Sequence, residues 1–400
     1  MKELSRIASA IAPSSTLAIN NLYKQLKAQG KDALGFGVGE PDFNTPDNIK
    51  NAGIRAIEEN QTRYTAASGT PELKEAICFR LQQDFGLCYK PSEIAVASGA
   101  KHSLYIALQC LLNPGDEVIL PAPYWVSYIE MIRMCGAVPV VIESTHAEDF
   151  KITPEKLEAA ITRKTKLVIL NNPSNPTGMI YDRDELQALA DVCVAHDLYI
   201  ISDEIYYCLV YDERPFTSVA ALGDAIKERT ILVNGVSKAY AMTGWRIGYT
   251  AAPERITKLM SNYLGHSTAA PSTISQAAAV EAFRGSQDSV RMMHEAFEER
   301  RNYMVERMNA IPHISCLKPQ GAFYVMMNLE EVLGHTIRGH QINSSDDFAA
   351  AFVQEEMVAT VPGSAFGAEG YVRWSYATDM ETIRKAMDRL ERFMNDMQTA

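Results

Sequence analysis

The sequence predicts an α/β fold in which helices cover both faces of a mainly parallel sheet, with a smaller α+β region beside it. Between residues 93 and 250, short β-branched runs alternate with segments of helical period, as where IAVAS (94–98) precedes KHSLYIALQCLL (101–112). These strands are apolar on both faces, which is typical of a buried parallel sheet. Beyond about residue 288 the alternation stops.

The clearest unit of this alternation lies in the middle of the chain. KLVILN (166–171) predicts a strand, NPSNPTG a turn, residues 182–196 a helix, LYIISDEIY (198–206) a strand, and Thr230 to Val233 a further strand. Asp182 and Glu185 form a capping box at the start of the helix, whose apolar residues recur every three to four positions. Ligands of such sheets bind beyond the carboxyl ends of the strands.

The two ends of the chain differ from this middle part. The first 45 residues include a stretch rich in Gly and Pro that is too irregular for a core element. At the other end, HEAFEERRNYMVERM (294–308) predicts a charged helix, GAFYVMMNL (321–329) and VRWSYA (372–377) predict strands, and an amphipathic helix follows. We interpret this end as an α+β domain.

Composition excludes several classes of function. The 400 residues carry 38 basic and 49 acidic side chains, a net charge of −11, and this field repels nucleic acids and anionic membranes. The sequence has no apolar run of about 18 residues and no signal-like apolar segment at its start. Its seven cysteines are scattered and form no Cys-x-x-Cys pair, which favours reduced thiols in a cytoplasmic protein. No His has metal-ligand spacing with another His or Cys, so we expect no metal site.

Three side chains of complementary chemistry follow predicted parallel strands: Asn175, Asp203 and Lys238. A carboxylate at the end of an apolar strand, such as Asp203, needs a cation or a strong donor, for example a protonated nitrogen heterocycle. Lys238 has Arg246 eight residues later. A lysine in a dry pocket or near another cation loses its proton more easily and attacks carbonyls. The alternative for Lys238 is a solvated surface lysine.

An anion site is indicated where the strand ending at Ser98 opens a helix through Gly99, Ala100 and Lys101. Small residues let backbone N–H groups approach an anion, and the helix N-terminus adds partial positive charge. Ser237 and Arg246 are candidates to complete this site. An ordinary tight turn remains the alternative.

Two further side chains are candidates for ligand contacts. Trp125, in PAPYWVSY, can stack on a planar ring, although a core or lid position is the alternative. Arg373 interrupts an apolar strand, and a bidentate carboxylate from a substrate or from the protein would satisfy its guanidinium.

Two familiar motifs are rejected. The glycines at 35, 37 and 39 lack the spacing of a dinucleotide fingerprint and run into Glu40-Pro41 rather than a helix. Ser98-x-x-Lys101 matches serine acyl enzymes, but their Ser-Asp-Asn and Lys-Thr-Gly elements do not occur.

Over nearly its whole length, the chain resembles the fold type I pyridoxal-phosphate enzymes, and specifically the class I aminotransferases of the bacterial aspartate aminotransferase branch. The resemblance rests on GEPDF (39–43), RY (63–64), SGAK (98–101), PYW (123–125), NPSNPTG (172–178), SDEIY (202–206), SKAYAMTGWRIG (237–248), GAFY and VRWSYA, in that order. It implies a large domain over residues 46–290 and a small domain made of residues 1–45 and 291–400. The segment 332–348 looks longer than in compact members and is interpreted as a mobile part of the small domain.

The resemblance also implies roles for the residues singled out above. Lys238 would form the Schiff base with pyridoxal phosphate and shuttle a proton between the substrate α-carbon and cofactor C4′. Asp203 would keep the ring nitrogen protonated, Asn175 and Tyr206 would bind the ring oxygen, and Trp125 would stack on the ring. Lys238, Asp203 and Tyr206 are therefore the predicted catalytic residues.

The phosphate would be held by residues of two subunits. The resemblance assigns it to Gly99, Ala100, Ser237 and Arg246, and adds Tyr64 from a neighbouring subunit. A homodimer with shared active sites is therefore expected.

The substrate would be a dicarboxylic amino acid or 2-oxo acid. Gly39 and Arg373 would hold its α-carboxylate beside Trp125 and Asn175, and in this branch Lys101 and Thr16 are associated with the distal carboxylate. The expected reaction is ping-pong transfer of the amino group from L-aspartate to 2-oxoglutarate, giving oxaloacetate and L-glutamate. Transamination of prephenate and a β-lyase reaction are the alternative activities. A regulator with a borrowed fold is disfavoured by the acidic charge and by a match that begins within the first 16 residues.

Overall fold

The computed structural model describes residues 2–398 of the chain. In this part, the helices are α1 (Arg6–Ala10), α2 (Ser15–Ala28), α3 (Asp47–Glu58), α4 (Pro71–Phe85), α5 (Ala100–Leu111), α6 (Ser127–Met134), α7 (Pro154–Ala160), α8 (Arg183–Ala195), α9 (Asp224–Lys227), α10 (Glu254–Ser267), α11 (Thr273–Arg284), α12 (Asp288–Asn309), α13 (Ser345–Glu356) and α14 (Met380–Asn395). The strands are β1 (Leu34–Gly35), β2 (Ile94–Ala97), β3 (Glu117–Ala122), β4 (Val138–Glu143), β5 (Thr165–Asn171), β6 (Tyr199–Asp203), β7 (Thr230–Gly235), β8 (Gly248–Ala251), β9 (Ser315–Cys316), β10 (Tyr324–Asn328), β11 (Thr336–Ile337), β12 (His340–Gln341), β13 (Val358–Ala359), β14 (Val361–Pro362), β15 (Tyr371–Ser375) and β16 (Met397–Gln398).

The main sheet has seven strands in the order β2-β8-β7-β6-β5-β3-β4. β8 runs antiparallel to both of its neighbours, and the other pairs are parallel. The predicted mainly parallel α/β sheet is therefore confirmed. Asn171 pairs with Asp203 at the carboxyl ends of β5 and β6, and Asp203 pairs with Val233 of β7. The register thus brings three strand ends to one edge of the sheet.

Helices cover both faces of this sheet because its strands are apolar on both sides. Along β5, Leu167 and Ile169 pack into a core cluster with α5, α6 and α10, while Val168 and Leu170 pack into another with α7 and α8. Side chains of a strand alternate between its two faces, so these clusters are the two sides of one sheet. Near-complete burial of both sets accounts for the unbroken apolar runs in the sequence.

The helix boundaries follow the predicted capping signals. Asp182 accepts a hydrogen bond from the Glu185 N–H (2.9 Å), and Glu185 accepts one from the Asp182 N–H (2.8 Å). This reciprocal pair is the predicted capping box and starts α8. α5 begins at Ala100 after Gly99, whose φ of +90° is a left-handed conformation that favours glycine.

Residues from both ends of the chain share another core. β1 pairs with β13 through Leu34 and Val358, and the ring of Phe36 lies 5.0 Å from that of Trp374. The second sheet, β14-β15-β10-β9, lies in the same region. Residues 1, 399 and 400 of the predicted small domain lie outside the described residues.

The segment 332–348 is folded into this core. β11 and β12 form a hairpin, and β11 also pairs with β16 near the end of the chain. Ile337 and Ile342 are completely buried. These contacts give the segment a packing role that the sequence alone did not indicate.

Within residues 2–398, no helix has the length and apolar character needed to cross a membrane.

Candidate active site

A cavity of about 370 Å³ lies at the carboxyl ends of β5, β6 and β7. Its lining includes most of the site residues predicted from the sequence: Thr16, Gly39, Ala100, Lys101, Trp125, Asn175, Asp203, Tyr206, Ser237, Lys238, Arg246 and Arg373. The chain therefore brings together two amines, an acid, an amide and two guanidiniums from distant parts of the sequence.

Lys238 lies on the loop that follows β7. Its Nζ donates a hydrogen bond to the backbone oxygen of Gly39, from the irregular stretch near the start of the chain. The pKa of Lys238 is lowered to about 8, mainly by burial; the nearby cations Arg246 and Arg373 act in the same direction, and the charge of Glu40 opposes them. A fraction of this amine is therefore neutral near pH 7, as a nucleophile requires.

Asp203 ends β6 and is 3% exposed. Its Oδ2 accepts a 2.6 Å hydrogen bond from the Tyr128 hydroxyl, and its Oδ1 accepts a 3.3 Å bond from the Ile205 N–H. Burial raises the pKa of the Asp203 carboxyl to about 6, and these two donors oppose that effect. The predicted buried carboxylate is present, and protein donors already satisfy part of its hydrogen-bonding capacity.

The turn between β2 and α5 has the shape needed to receive an anion. A Cβ on Gly99 would collide with the Arg246 guanidinium, and a Cβ on Gly248 would collide with the Ala100 nitrogen. Arg246 Nη2 donates to the Ser98 backbone oxygen (3.2 Å), which fixes the cation against this turn. Backbone N–H groups, a helix N-terminus and a guanidinium are a suitable donor set for a phosphate.

Arg373 is 2% exposed, although it sits in an apolar strand. Its Nη1 donates to the Asn175 side-chain oxygen (2.9 Å), and its Nη2 donates to the Gly37 backbone oxygen (2.6 Å). Its Nε has no hydrogen-bond partner within residues 2–398. The guanidinium is thus held in place with donor capacity remaining, which suits the binding of a carboxylate.

Two further predicted residues contribute a cation and a hydroxyl to the cavity. Lys101 Nζ lies 4.8 Å from the centre of the Trp125 ring, and partial burial lowers the pKa of Lys101, with Arg246 adding to the effect. Thr16, in α2, has its hydroxyl 3.0 Å from that of Ser14. The cavity therefore contains a cation besides Arg373 and Arg246.

Two predicted residues do not line the cavity. Gly99 is one of them, and its lack of a side chain leaves room for the Arg246 guanidinium. Tyr64 is 96% exposed and lies in a separate surface groove with Arg63 and Thr273.

Several lining residues were missed by the sequence analysis. Tyr128 follows Trp125 by three residues and lies in the first turn of α6, and Asn171 is the polar end of β5. The Asn171 side chain donates to the Asp203 backbone oxygen (3.0 Å) and accepts from the Asn175 N–H (2.7 Å). Tyr324, in GAFY, has its hydroxyl 2.8 Å from the Tyr206 hydroxyl. Polar residues at strand ends were the available signal for Asn171, whereas Tyr128 and Tyr324 resemble core aromatics in the sequence.

Comparison with known proteins identifies the family. Residues 31–390 match the family model of aminotransferases of class I and II. The chain belongs to this aminotransferase family. It is 49% identical to an aspartate aminotransferase of Geobacillus stearothermophilus (98% of this chain, 99% of the relative) and 46% identical to an aspartate/prephenate aminotransferase of Cereibacter sphaeroides, with the same coverage. The structure matches that of the aspartate aminotransferase of Rhizobium meliloti with a TM-score of 0.96, at 42% identity over 100% of both chains.

These comparisons confirm the fold type I architecture and the assignment of the chain as an aminotransferase enzyme. Pyridoxal phosphate is the cofactor of this family. The residues of the cavity fit it: Lys238 is an amine of lowered pKa, Asp203 is a buried acid for a ring nitrogen, and the turn at Gly99 is shaped for a phosphate. The cavity is thus suited to a cofactor together with a small amino acid.

Proposed function

We propose that this aminotransferase transfers the amino group between L-aspartate and 2-oxoglutarate, giving oxaloacetate and L-glutamate. The observation that carries the proposal is the presence of Arg373 and Lys101 in the same cavity as Lys238. A dicarboxylic amino acid needs a cation for each carboxylate, whereas an apolar one would leave the second cation unpaired. Relatives named aspartate aminotransferase over the full chain support the same substrate class.

Pyridoxal phosphate would be held at its reactive carbon, its ring and its phosphate by different elements. Lys238 would bind the carbonyl carbon, Asp203 the ring nitrogen, Asn175 and Tyr206 the ring oxygen, and Trp125 the ring face. The phosphate would be bound by Gly99, Ala100, Ser237 and Arg246. When bound, the cofactor supplies an electron sink for the charge that develops at the substrate α-carbon.

Lys238 is the group that would move the proton. Its amine is neutral in part near pH 7 because the cavity is buried, so it can take the proton from the substrate α-carbon. The resulting ammonium can then deliver that proton to C4′ of the cofactor. The Gly39 backbone oxygen accepts a hydrogen bond from Nζ and would help to orient the amine in the cavity.

The other residues would orient the substrate. Arg373, fixed by Asn175 and Gly37, would bind the α-carboxylate with its remaining donors, and the backbone of Gly39 would add a contact. Lys101 and Thr16 would bind the distal carboxylate. Binding at both ends restricts the substrate to the geometry in which its α-carbon faces Lys238.

The active form would be a homodimer in the cytoplasm. Tyr64, exposed in the single chain, would reach the phosphate of a second subunit, so each site would contain residues of both chains. Residues 46–290 would form a large domain, and residues 1–45 with 291–400 a small one. The core shared by Phe36 and Trp374 supports the second division.

A second candidate activity is the transamination of prephenate. One relative of 46% identity is named an aspartate/prephenate aminotransferase. Prephenate is also a dicarboxylate, so the same two cations would serve it.

The deciding experiment is the visible absorbance spectrum of the purified protein reconstituted with pyridoxal phosphate. We expect a cofactor band that disappears with L-aspartate and returns with 2-oxoglutarate, and return with prephenate after L-glutamate would add the second activity. A band that persists with aspartate would refute the proposed substrate. Pyruvate and ammonia formed from a β-substituted amino acid without a 2-oxo acid would instead indicate a β-lyase.

A further inference from the structure

Tyr128 is a buried residue that lines the cavity, and the proposed reaction assigns it no role. It lies in the first turn of α6 and is 1% exposed. Its hydroxyl donates a hydrogen bond of 2.6 Å to Oδ2 of Asp203, 75 residues further along the chain. It therefore touches the carboxylate that would bind the cofactor's ring nitrogen.

The length of this bond is typical of a hydroxyl that donates to a charged carboxylate. The other oxygen of Asp203 accepts a longer bond of 3.3 Å from the Ile205 N–H. The position of the strand end is fixed separately, since the backbone oxygen of Asp203 accepts from the Asn171 side chain. Of the two hydrogen bonds that orient the Asp203 carboxylate, the one from the Tyr128 hydroxyl is therefore the shorter.

Asp203 needs such a donor because its surroundings favour the neutral acid. Burial raises its pKa to about 6, the Tyr128 hydroxyl opposes this, and the positive charge of Lys238 also lowers the pKa. Glu204, next in the chain, and Tyr206 also interact electrostatically with Asp203, although the Glu204 carboxylate accepts its hydrogen bonds from Ser202 and Ser218. An aspartic acid that carried the proton itself would leave the cofactor's ring nitrogen unprotonated, and the electron sink would be weaker.

We propose that Tyr128 is a positioning residue that keeps the Asp203 carboxylate charged and aimed at the cofactor's ring nitrogen, an inference that rests on the proposed role of Asp203. Tyr128 also contacts Trp125, the residue proposed to stack on the cofactor ring. The Tyr128 N–H donates to the Trp125 backbone oxygen (3.0 Å), and the two rings meet edge to face with centroids 5.3 Å apart. Tyr128 therefore contacts both Trp125, proposed to bind the face of the cofactor ring, and Asp203, proposed to bind its nitrogen.

The test removes the hydroxyl and measures cofactor affinity. Tyr128→Phe should raise the dissociation constant of pyridoxal phosphate about tenfold or more, because a charged buried carboxylate loses its strongest donor. The acid limb of cofactor binding should also move to higher pH, since the pKa of Asp203 rises without that donor. Thermal unfolding of the apo-protein shows whether the variant is folded.

Tyr181→Phe is the matched control. The Tyr181 hydroxyl is also buried and accepts a 2.8 Å hydrogen bond from the Ile152 N–H, at a place without contact to Asp203. This variant loses the same atom, so it should lower stability while leaving the cofactor affinity and its pH profile unchanged.

A double-mutant cycle with Asp203→Ala separates the possible outcomes. If Tyr128 acts through Asp203, Tyr128→Phe should weaken cofactor binding in the wild-type background and have little effect once the carboxylate is gone. An equal loss in both backgrounds, or an unchanged affinity and pH profile in Tyr128→Phe alone, would overturn the inference and leave the role of Asp203 intact. Full cofactor affinity and turnover in Asp203→Ala would overturn that role as well.

Discussion

Arg373 and Asn175, 198 residues apart in the chain, are joined by a 2.9 Å hydrogen bond from Nη1 to the side-chain oxygen. The same guanidinium lies 4.4 Å from the centre of the Tyr324 ring and 4.8 Å from that of Phe366. Its orientation is therefore fixed by an amide and two aromatic faces before any substrate arrives. Such preorganisation lowers the cost of binding a carboxylate.

Replacing Arg373 by Lys should weaken every amino-acid substrate alike. Lysine retains the charge but not the planar donor set that contacts Asn175 and Gly37. We expect KM to rise about 10- to 100-fold for aspartate and for alanine, since both carry the α-carboxylate. Steady-state kinetics with the two amino acids tests this, and a selective effect on aspartate would contradict the assignment of Arg373.

Lys101→Ala should have the selective effect instead. Its ammonium is not needed by alanine, which has no distal carboxylate, so kcat/KM should fall about 10- to 100-fold for aspartate alone. The comparison of the two substrates in one variant is its own control, because damage to the cofactor site would reduce both rates. If aspartate and alanine lose equally, Lys101 does not bind the distal carboxylate.

The sequence was sufficient to predict the sheet and most of the site because the relevant signals are local. β5, α8 and β6 each have an unbroken apolar run or a capping box. The structure places β5 and α8 within one residue of the predicted limits, whereas β6 begins one residue later than predicted and ends three residues earlier, at Asp203. The residues at the ends of those strands then had to meet at one edge. The order and register of the strands place Asn171 beside Asp203.

What the sequence did not reveal depends on contacts between distant segments. The antiparallel direction of β8 is invisible in GYTA, a short apolar run like its neighbours. Tyr128 and Tyr324 have the spacing of core aromatics, and only the fold shows that their hydroxyls meet Asp203 and Tyr206. The hairpin within 332–348 is fixed by packing and ion pairs that have no local pattern.

The rate of cofactor uptake should depend on the protonation of Lys238. Since burial lowers its pKa to about 8, the neutral amine becomes abundant as pH rises through 8. Mixing apo-protein with pyridoxal phosphate at different pH values and following the visible band should give a rate that rises with a midpoint near 8. A midpoint near 10.5, the ordinary lysine value, would mean that the amine is not desolvated. Lys238→Ala should give no such band at any pH and no turnover.

The buried carboxylate of Glu356 should stabilise the fold around the 332–348 hairpin. It accepts hydrogen bonds from Arg338 (2.7 Å) and Arg392 (3.0 Å), and its side chain is 3% exposed. Glu356→Gln removes the negative charge but keeps the shape of the side chain. The guanidiniums of Arg338 and Arg392 then lose the carboxylate with which they pair. We expect the free energy of unfolding to fall by about 2 kcal/mol, less than for a fully buried pair because Arg392 is exposed.

Glu355→Gln is the control for that variant, measured by the same urea unfolding. Glu355 is the adjacent residue of α13 and pairs with His340 at 2.9 Å, but it is more exposed. Loss of the Glu355–His340 pair should lower the free energy of unfolding by less than about 0.5 kcal/mol. Equal effects of the two variants would show that the buried position of Glu356 has no special weight.

The proposed sharing of active sites between subunits can be tested with mixed dimers. Lys238→Ala and Tyr64→Ala should each have low activity as homodimers, the first for lack of the amine and the second through weaker phosphate binding. In a hybrid of the two, one site would have the lysine of one chain and the tyrosine of the other, and would be intact. We therefore expect the hybrid to have about half of the wild-type activity, because one of its two sites is whole. If Tyr64 instead served the site of its own chain, no hybrid site would be intact, and mixing would not raise activity above that of the parent homodimers.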